Sequence, residues 1–146
     1  MEKIKSVHDF KNIKEIIDFL NSSSDIKIKV NVSEWAGGSC LNYETNEIED
    51  IDEYCYWATG FIKKDVFLKK LNDFVEEEGK LEQDIAYFFE YIFPEQDPYI
   101  RLKAIGINLE KDKFEAGCGD DFGTEEYSEE ERSFTDSTEE DIIFYK

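Results

Sequence analysis

Between Ile26 and Ser33 the chain alternates without a break, with Ile26, Ile28, Val30 and Val32 on one parity and Lys27, Lys29, Asn31 and Ser33 on the other. A period of two is that of an extended strand, so the segment predicts a strand with one buried and one wet face. Lys27 and Lys29 on the wet face also discourage edge-to-edge aggregation. Such a strand needs a sheet with a layer packed against one side, and the rest of the chain supplies both. Phe10, Ile13, Ile16, Ile17 and Leu20 recur at helical spacing and predict a helix over about 7–21, opened by a Ser6/Asp9 capping box with Asp in place of Glu or Gln. Phe67, Leu71, Phe74 and Val75 predict a helix over 64–78 that ends at Gly79. Leu81, Ile85, Phe88, Phe89 and Ile92 then start another, which Pro94 stops.

Tyr54–Ile62 is aromatic, β-prone and apolar on both parities, which predicts a strand in the middle of the sheet. Tyr99–Leu109 reads as a strand whose apolar parity shifts, with a bulge near Ala104–Gly106. Lys111-Asp112 reads as a hairpin turn into a strand at 114–118, Gly37-Gly38 as a turn before a short strand at 40–43, and Ile142–Tyr145 as a last strand. The expectation is one α+β domain over 1–146, long enough to bury roughly 70% of its unfolded surface. It is a mainly antiparallel sheet of about five strands, with an N-terminal helix and an antiparallel helical hairpin packed on one face. Trp57, Phe61, Phe67, Leu71, Phe74, Leu81, Ile85, Phe88, Ile105 and Ile107 are the expected core. Residues 114–146 are the acidic C-terminal segment, expected to be the most mobile part.

The formal charge is −19, and it is unevenly distributed. Residues 34–53 carry seven acids and no base, and residues 114–146 carry twelve acids and two bases, so these two blocks hold −17 of the total. Within the second block Phe122, Tyr127 and Phe134 interrupt the acids, unlike the aromatic-poor composition of a simple disordered tail. Thr124 is placed to cap a short helix over 125–131, in which Glu125/Glu129 and Glu126/Glu130 would be like-charge pairs, each unfavourable by about 0.2–0.5 kcal/mol. Folding alone gives no reason for that arrangement. The charge opposes binding to nucleic acid or to an anionic membrane and favours a basic partner. Adaptation to high salt explains it poorly in a chain with fifteen lysines.

Chemistry-bearing residues are sparse. The one histidine, His8, and the cysteines Cys40, Cys55 and Cys118 carry no signature of a Cys-His nucleophile and no C-x₂-C zinc knuckle. The thiols are expected to be free and buried in a reducing compartment, and the absence of an apolar leader or an ~18-residue apolar run makes the cytoplasm the expected location. Gly117–Gly123 is rich in glycine, but it lacks the Lys-Ser/Thr of a phosphate loop and includes Asp120 and Asp121. Asp50–Glu53 lacks the spacing and glycine of a calcium loop. With thirty-six acids some glycosidase-like carboxylate pair is inevitable and therefore uninformative. No catalytic activity, cofactor or dedicated metal is expected, and a metal-dependent or cysteine enzyme ranks third.

In size and charge, without a shared motif, the chain resembles small acidic inhibitors: antirestriction and anti-CRISPR proteins that mimic DNA, and immunity proteins that neutralise nuclease toxins. That resemblance implies a basic nucleic-acid-binding partner, such as a CRISPR effector, a restriction enzyme or a nuclease toxin. The partner-binding residues expected are Glu47, Glu49, Asp50, Asp52 and Glu53 in the first block, with Asp120, Asp121, Glu125, Glu126, Glu129, Glu130 and Glu131 in the second. The competing reading is a non-catalytic adaptor whose acidic surface is merely solvated.

Overall fold

The structure is a computed structural model that describes residues 2–42, 44–93, 97–119 and 133–146, with side chains at 2–34, 44–47, 57–93, 97–117 and 139–146. The elements run β1 (Lys3–Ser6), a 3-10 turn (Val7–Asp9), α1 (Ile13–Ser22), β2 (Lys27–Asn42), β3 (Glu47–Ile62), α2 (Lys64–Glu78), α3 (Ile85–Ile92), α4 (Pro98–Ile105), β4 (Phe114–Gly119) and β5 (Ser133–Tyr145). The strands form one antiparallel sheet in the order β1-β5-β2-β3-β4. This is the expected α+β class, with helices packed on a sheet, although the central strand is β2 rather than β3.

The alternation that predicts β2 also decides which face is covered. Ile28, Val30 and Val32 are buried together with Ala58 and Ile62 of β3 and Ile142 and Phe144 of β5, all on one parity. Against them pack Ile13, Ile16 and Leu20 of α1, Phe67, Leu71 and Phe74 of α2, Ile85 and Phe88 of α3, and Leu102 and Ile105 of α4. Phe88 joins the layers, with its ring 6.1 Å from Phe67 and 5.7 Å from Phe74, while Phe67 stands 6.2 Å from Phe144 on the sheet.

Several expectations change. The Ser6/Asp9 capping box forms, but it heads the 3-10 turn, and α1 starts afresh at Ile13 with Asn12 as its cap. The first amides of α1 are also taken by the loop before α3, since Ile13 donates to the Gln83 carbonyl at 2.8 Å and Lys14 to that of Leu81 at 3.0 Å. Leu81 therefore lies in a turn and is 37% exposed rather than core, and α3 begins only at Ile85, capped by Asp84. The expected strand over 99–109 is wrong: α4 occupies 98–105, capped by Asp97 with Pro98 in its first turn and ended by Gly106 at φ 114°. The parity shift between Leu102 and Ile105 was helical periodicity, with Arg101, Leu102 and Ile105 on one buried stripe. Gly106 is required twice over, because of its left-handed backbone and because a Cβ there would stand 2.6 Å from Val66 Cγ1. Lys111-Asp112 consequently links a helix to β4 and closes no hairpin.

Gly37-Gly38 makes no turn. Both lie inside β2, and the β2-β3 hairpin closes beyond them at Glu44–Asn46, where Asn46 takes φ 60°. Asparagine tolerates that left-handed conformation better than most residues. Trp57 and Phe61, also expected in the core, are 39% and 38% exposed. They lie on the opposite parity from Ala58 and Ile62, on the face away from the described helices.

Candidate partner-binding surface

β2 and β3 extend well past the part of the sheet where buried side chains anchor the helices. Residues 35–42 of β2 pair with 47–55 of β3 on one side, and 35–39 pair with 133–137 of β5 on the other, so among the described residues an arm forms that has three strands at its root, with β2 in the middle, and the β2-β3 pair at its tip. Five of the seven acids of the first block lie along the β3 side of this arm, with Glu47 opposite Asn42, Glu49 opposite Cys40 and Asp50 opposite Ser39. Asp52 and Glu53 share a bulge. Ala36 pairs with Tyr54 and Gly38 with Ile51, leaving these two residues opposite the single Gly37. Pairing from β2 to β5 runs through the same level without a shift, so the irregularity belongs to β3. A bulge bends its strand and increases local twist, and a glycine opposite it is what close backbone approach favours.

Asp120, Asp121, Glu125, Glu126, Glu129, Glu130 and Glu131 lie outside the described residues, as does the helix expected over 125–131. Their described flanks are at the arm: Gly119 pairs with Cys55, and Ser133 pairs with Ser39, itself opposite Asp50. The rest of the second block runs down β5, with Asp136 opposite Ala36, Glu139 opposite Ser33, Glu140 opposite Val32 and Asp141 opposite Asn31.

At the root of the arm sits a residue that the sequence reading passed over. Arg101 of α4 is 1% exposed. Its Nη1 donates to the Ser33 carbonyl at 2.9 Å, its Nη2 to the Glu139 carbonyl at 3.2 Å and to the Glu140 carboxylate, and its guanidinium lies 5.2 Å from the centre of the Phe93 ring. Burial pushes its pKa below the ordinary guanidinium value, and Glu140 and Glu34 oppose the shift. A guanidinium still keeps its proton in a protein, so Arg101 neutralises Glu140 and pins β2, β5 and α4 together. The missed signal was Asp97-Pro98 followed by Gly106, an N-cap, a first-turn proline and a C-terminal glycine around a short helix.

Beside this anchor Asp141 accepts from the Ser6 hydroxyl, and its Oδ1 lies 3.8 Å from His8 Nε2. His8 Nε2 is also 2.9 Å from the Glu140 carbonyl, and its ring meets Phe89 edge-on at 5.8 Å. A carbonyl only accepts, so the proton of that contact belongs to Nε2. His8 therefore ties the 3-10 turn to β5. The three cysteines occupy β2, β3 and β4 at backbone positions opposite Glu49, Gly119 and Tyr56 respectively. Among the described residues no group of three His, Cys, Asp or Glu is gathered for a metal ion, and no helix is long and apolar enough to cross a membrane.

On the face away from the described helices Trp57, Thr59 and Phe61 of β3 stand beside Lys29, Asn31 and Ser33 of β2. No protein-family model matches this chain, and neither the curated proteins nor the solved structures yield a match to it.

Proposed function

We propose that the chain is an acidic inhibitor that occupies the basic nucleic-acid-binding groove of a partner protein by presenting carboxylates where phosphates would lie. The partner is a CRISPR effector, a restriction enzyme or a nuclease toxin, met in the cytoplasm. One observation carries the reading: five of the seven acids of the first block, Glu47 to Glu53, run along one outer strand of the arm, and both flanks of the second block reach the same end of the sheet. Dimensions support it. The five acids from Glu47 to Glu53 occupy about 20 Å of strand at ~3.4 Å per residue, and one strand of DNA carries a phosphate every ~3.4 Å over the same length.

The competing adaptor reading draws on Trp57 and Phe61, half-exposed on a sheet face, which suit docking through apolar contact. Capture from a lysate of the natural host distinguishes the two. An inhibitor of the proposed kind retains a nucleic-acid-handling protein that added duplex DNA or RNA displaces and that elutes as salt is raised. Retention indifferent to both nucleic acid and salt supports the adaptor instead.

A further inference from the structure

The sheet face opposite the described helices carries an open cavity of about 660 Å³ over the root of the arm, and Asn31, Ser33, Trp57, Thr59, Glu139 and Asp141 contribute to its walls. We infer that this groove receives an arginine side chain from an extended basic segment of the partner, stacked on Trp57 and paired with Glu139. The inference rests on the inhibitor reading and names a contact within it.

The Trp57 ring is a supported platform. A Cβ added at Gly117 would stand 2.7 Å from Trp57 Cζ2 and 2.9 Å from its Nε1, so the indole lies directly on the glycine backbone of β4. Any other residue at 117 would lift it. Across the sheet Trp57, Ser33 and Glu139 form one register row, and Thr59, Asn31 and Asp141 form the next. Each row thus sets a carboxylate two strand spacings, about 10 Å, from β3, while the Trp57 ring leans the other way onto β4, so a cation that touches both the ring and the acid must come on a long side chain laid across the strands. Among the described residues no lysine or arginine lines the groove, whose wall also includes His8 beside Asp141. A base stacking on Trp57 would carry its phosphates towards Glu139 and Asp141, so nucleic acid is a poor occupant.

β2 and β5 already hold a guanidinium on their other face. Arg101 takes the Ser33 and Glu139 carbonyls and the Glu140 carboxylate and lies over the Phe93 ring. The open face repeats the ingredients, an aromatic ring and a strand carboxylate, one residue out of phase and exposed. A guanidinium, planar and weakly hydrated, exploits stacking and carboxylate pairing together, whereas an ammonium is a compact and strongly hydrated charge.

The test titrates the full chain at low salt with an eight-residue peptide of alternating glycine and arginine, and with its lysine counterpart. It uses the wild type, Trp57→Leu, Trp57→Phe, Glu139→Gln and an arm variant, Glu47→Gln/Glu49→Gln/Asp50→Asn. Affinity is read by calorimetry, and the indole N–H resonance of Trp57 by NMR. The wild type is expected to prefer the arginine peptide several-fold and to shift the Trp57 resonance. Trp57→Leu should lose about five- to tenfold in affinity, and Trp57→Phe, which keeps a ring face, should lose less. Melting curves establish that each variant is folded, and the Trp57 resonance of the wild type reports on the groove without any substitution.

Equal affinity for the two peptides, an unmoved Trp57 resonance, or full affinity in Trp57→Leu overturns the groove. If the arm variant alone weakens binding, the inhibitor reading survives without this contact. If Trp57→Leu alone weakens it, the groove stands and the acidic arm fails. Absence of binding by either peptide overturns both.

Discussion

The two faces of the sheet are made by the same strands and behave as different materials. On one parity Ile28, Val30, Val32, Ala58, Ile142 and Phe144 are sealed beneath four helices, and the single buried cation, Arg101, among the described residues is fully engaged with carbonyls and a carboxylate. On the other, Lys29, Asn31, Ser33, Trp57, Thr59 and Phe61 meet solvent; past both, the backbone of the arm carries the further acids of β3 and β5. Stability should therefore be concentrated on the covered face, whereas binding should belong to the open face and the arm. Each substitution below puts pressure on that division.

The largest expected effect is Phe88→Ala, which opens a cavity where three aromatic partners meet and should cost about 3–5 kcal/mol. Trp57→Leu, on the open face, should cost about 1 kcal/mol or less by chemical denaturation. Comparable losses at the two sites would erase the distinction between the faces. Next is Arg101→Ala, which strands Glu140 at the sheet and should cost about 3 kcal/mol, whereas Arg101→Leu combined with Glu140→Leu should recover most of the loss, because desolvating an ion pair offsets much of its attraction. A double variant no better than the single one would assign the loss to carbonyl pairing and packing. Gly106→Ala, forced to positive φ against Val66, should cost about 1–3 kcal/mol. Gly79→Ala, at φ 65° with open space around it, should cost about 1 kcal/mol.

The smallest effect lies at the rim of the helical layer, where the Tyr91 hydroxyl donates to Glu77 and its pKa is pushed up to about 12, chiefly by that hydrogen bond. The folded state holds this proton more tightly than an unfolded chain with an ordinary tyrosine value of about 10. Its contribution is therefore complete below pH 10 and lost as pH rises from 10 towards 12. Ultraviolet titration should show one tyrosine ionising late, and Glu77→Gln should bring it back towards 10; an unchanged titration in that variant would dismiss the pairing.

Legibility in the sequence followed how local the deciding force was. β2's alternation, α2 with its terminal glycine, and Phe67, Leu71, Phe74, Ile85 and Phe88 as core were readable because period and capping are written within a few residues. Trp57 and Phe61 misled because residues apolar on both parities look buried twice, and only the placement of every helix on one side leaves one parity wet. α4 was misread because Leu102, Ala104, Ile105 and Ile107 satisfy two periods, and its cap signals were outweighed by β-prone neighbours. Gly37 looked like a turn because a glycine opposite a bulge and a glycine in a turn are the same letter. Four-residue β1 is too short to announce itself and is specified by Tyr145, Phe144 and Ile143 across from it. Of the site, the acidic concentration was legible and its register was not. Which strand pairs with which decides whether Asp50 and Ser133 meet at one level of the arm.

The most direct test of the account is the salt dependence of a captured partner's affinity, for the wild type and for Glu47→Gln/Glu49→Gln/Asp50→Asn. Melting temperatures should agree closely, because each substitution keeps the size and shape of its side chain and removes only the charge. Wild-type affinity should fall steeply as salt is raised, and the variant should bind more weakly at low salt and with a shallower slope. A wild-type complex indifferent to salt, or a variant that binds as tightly as the wild type at every salt concentration, would contradict the account.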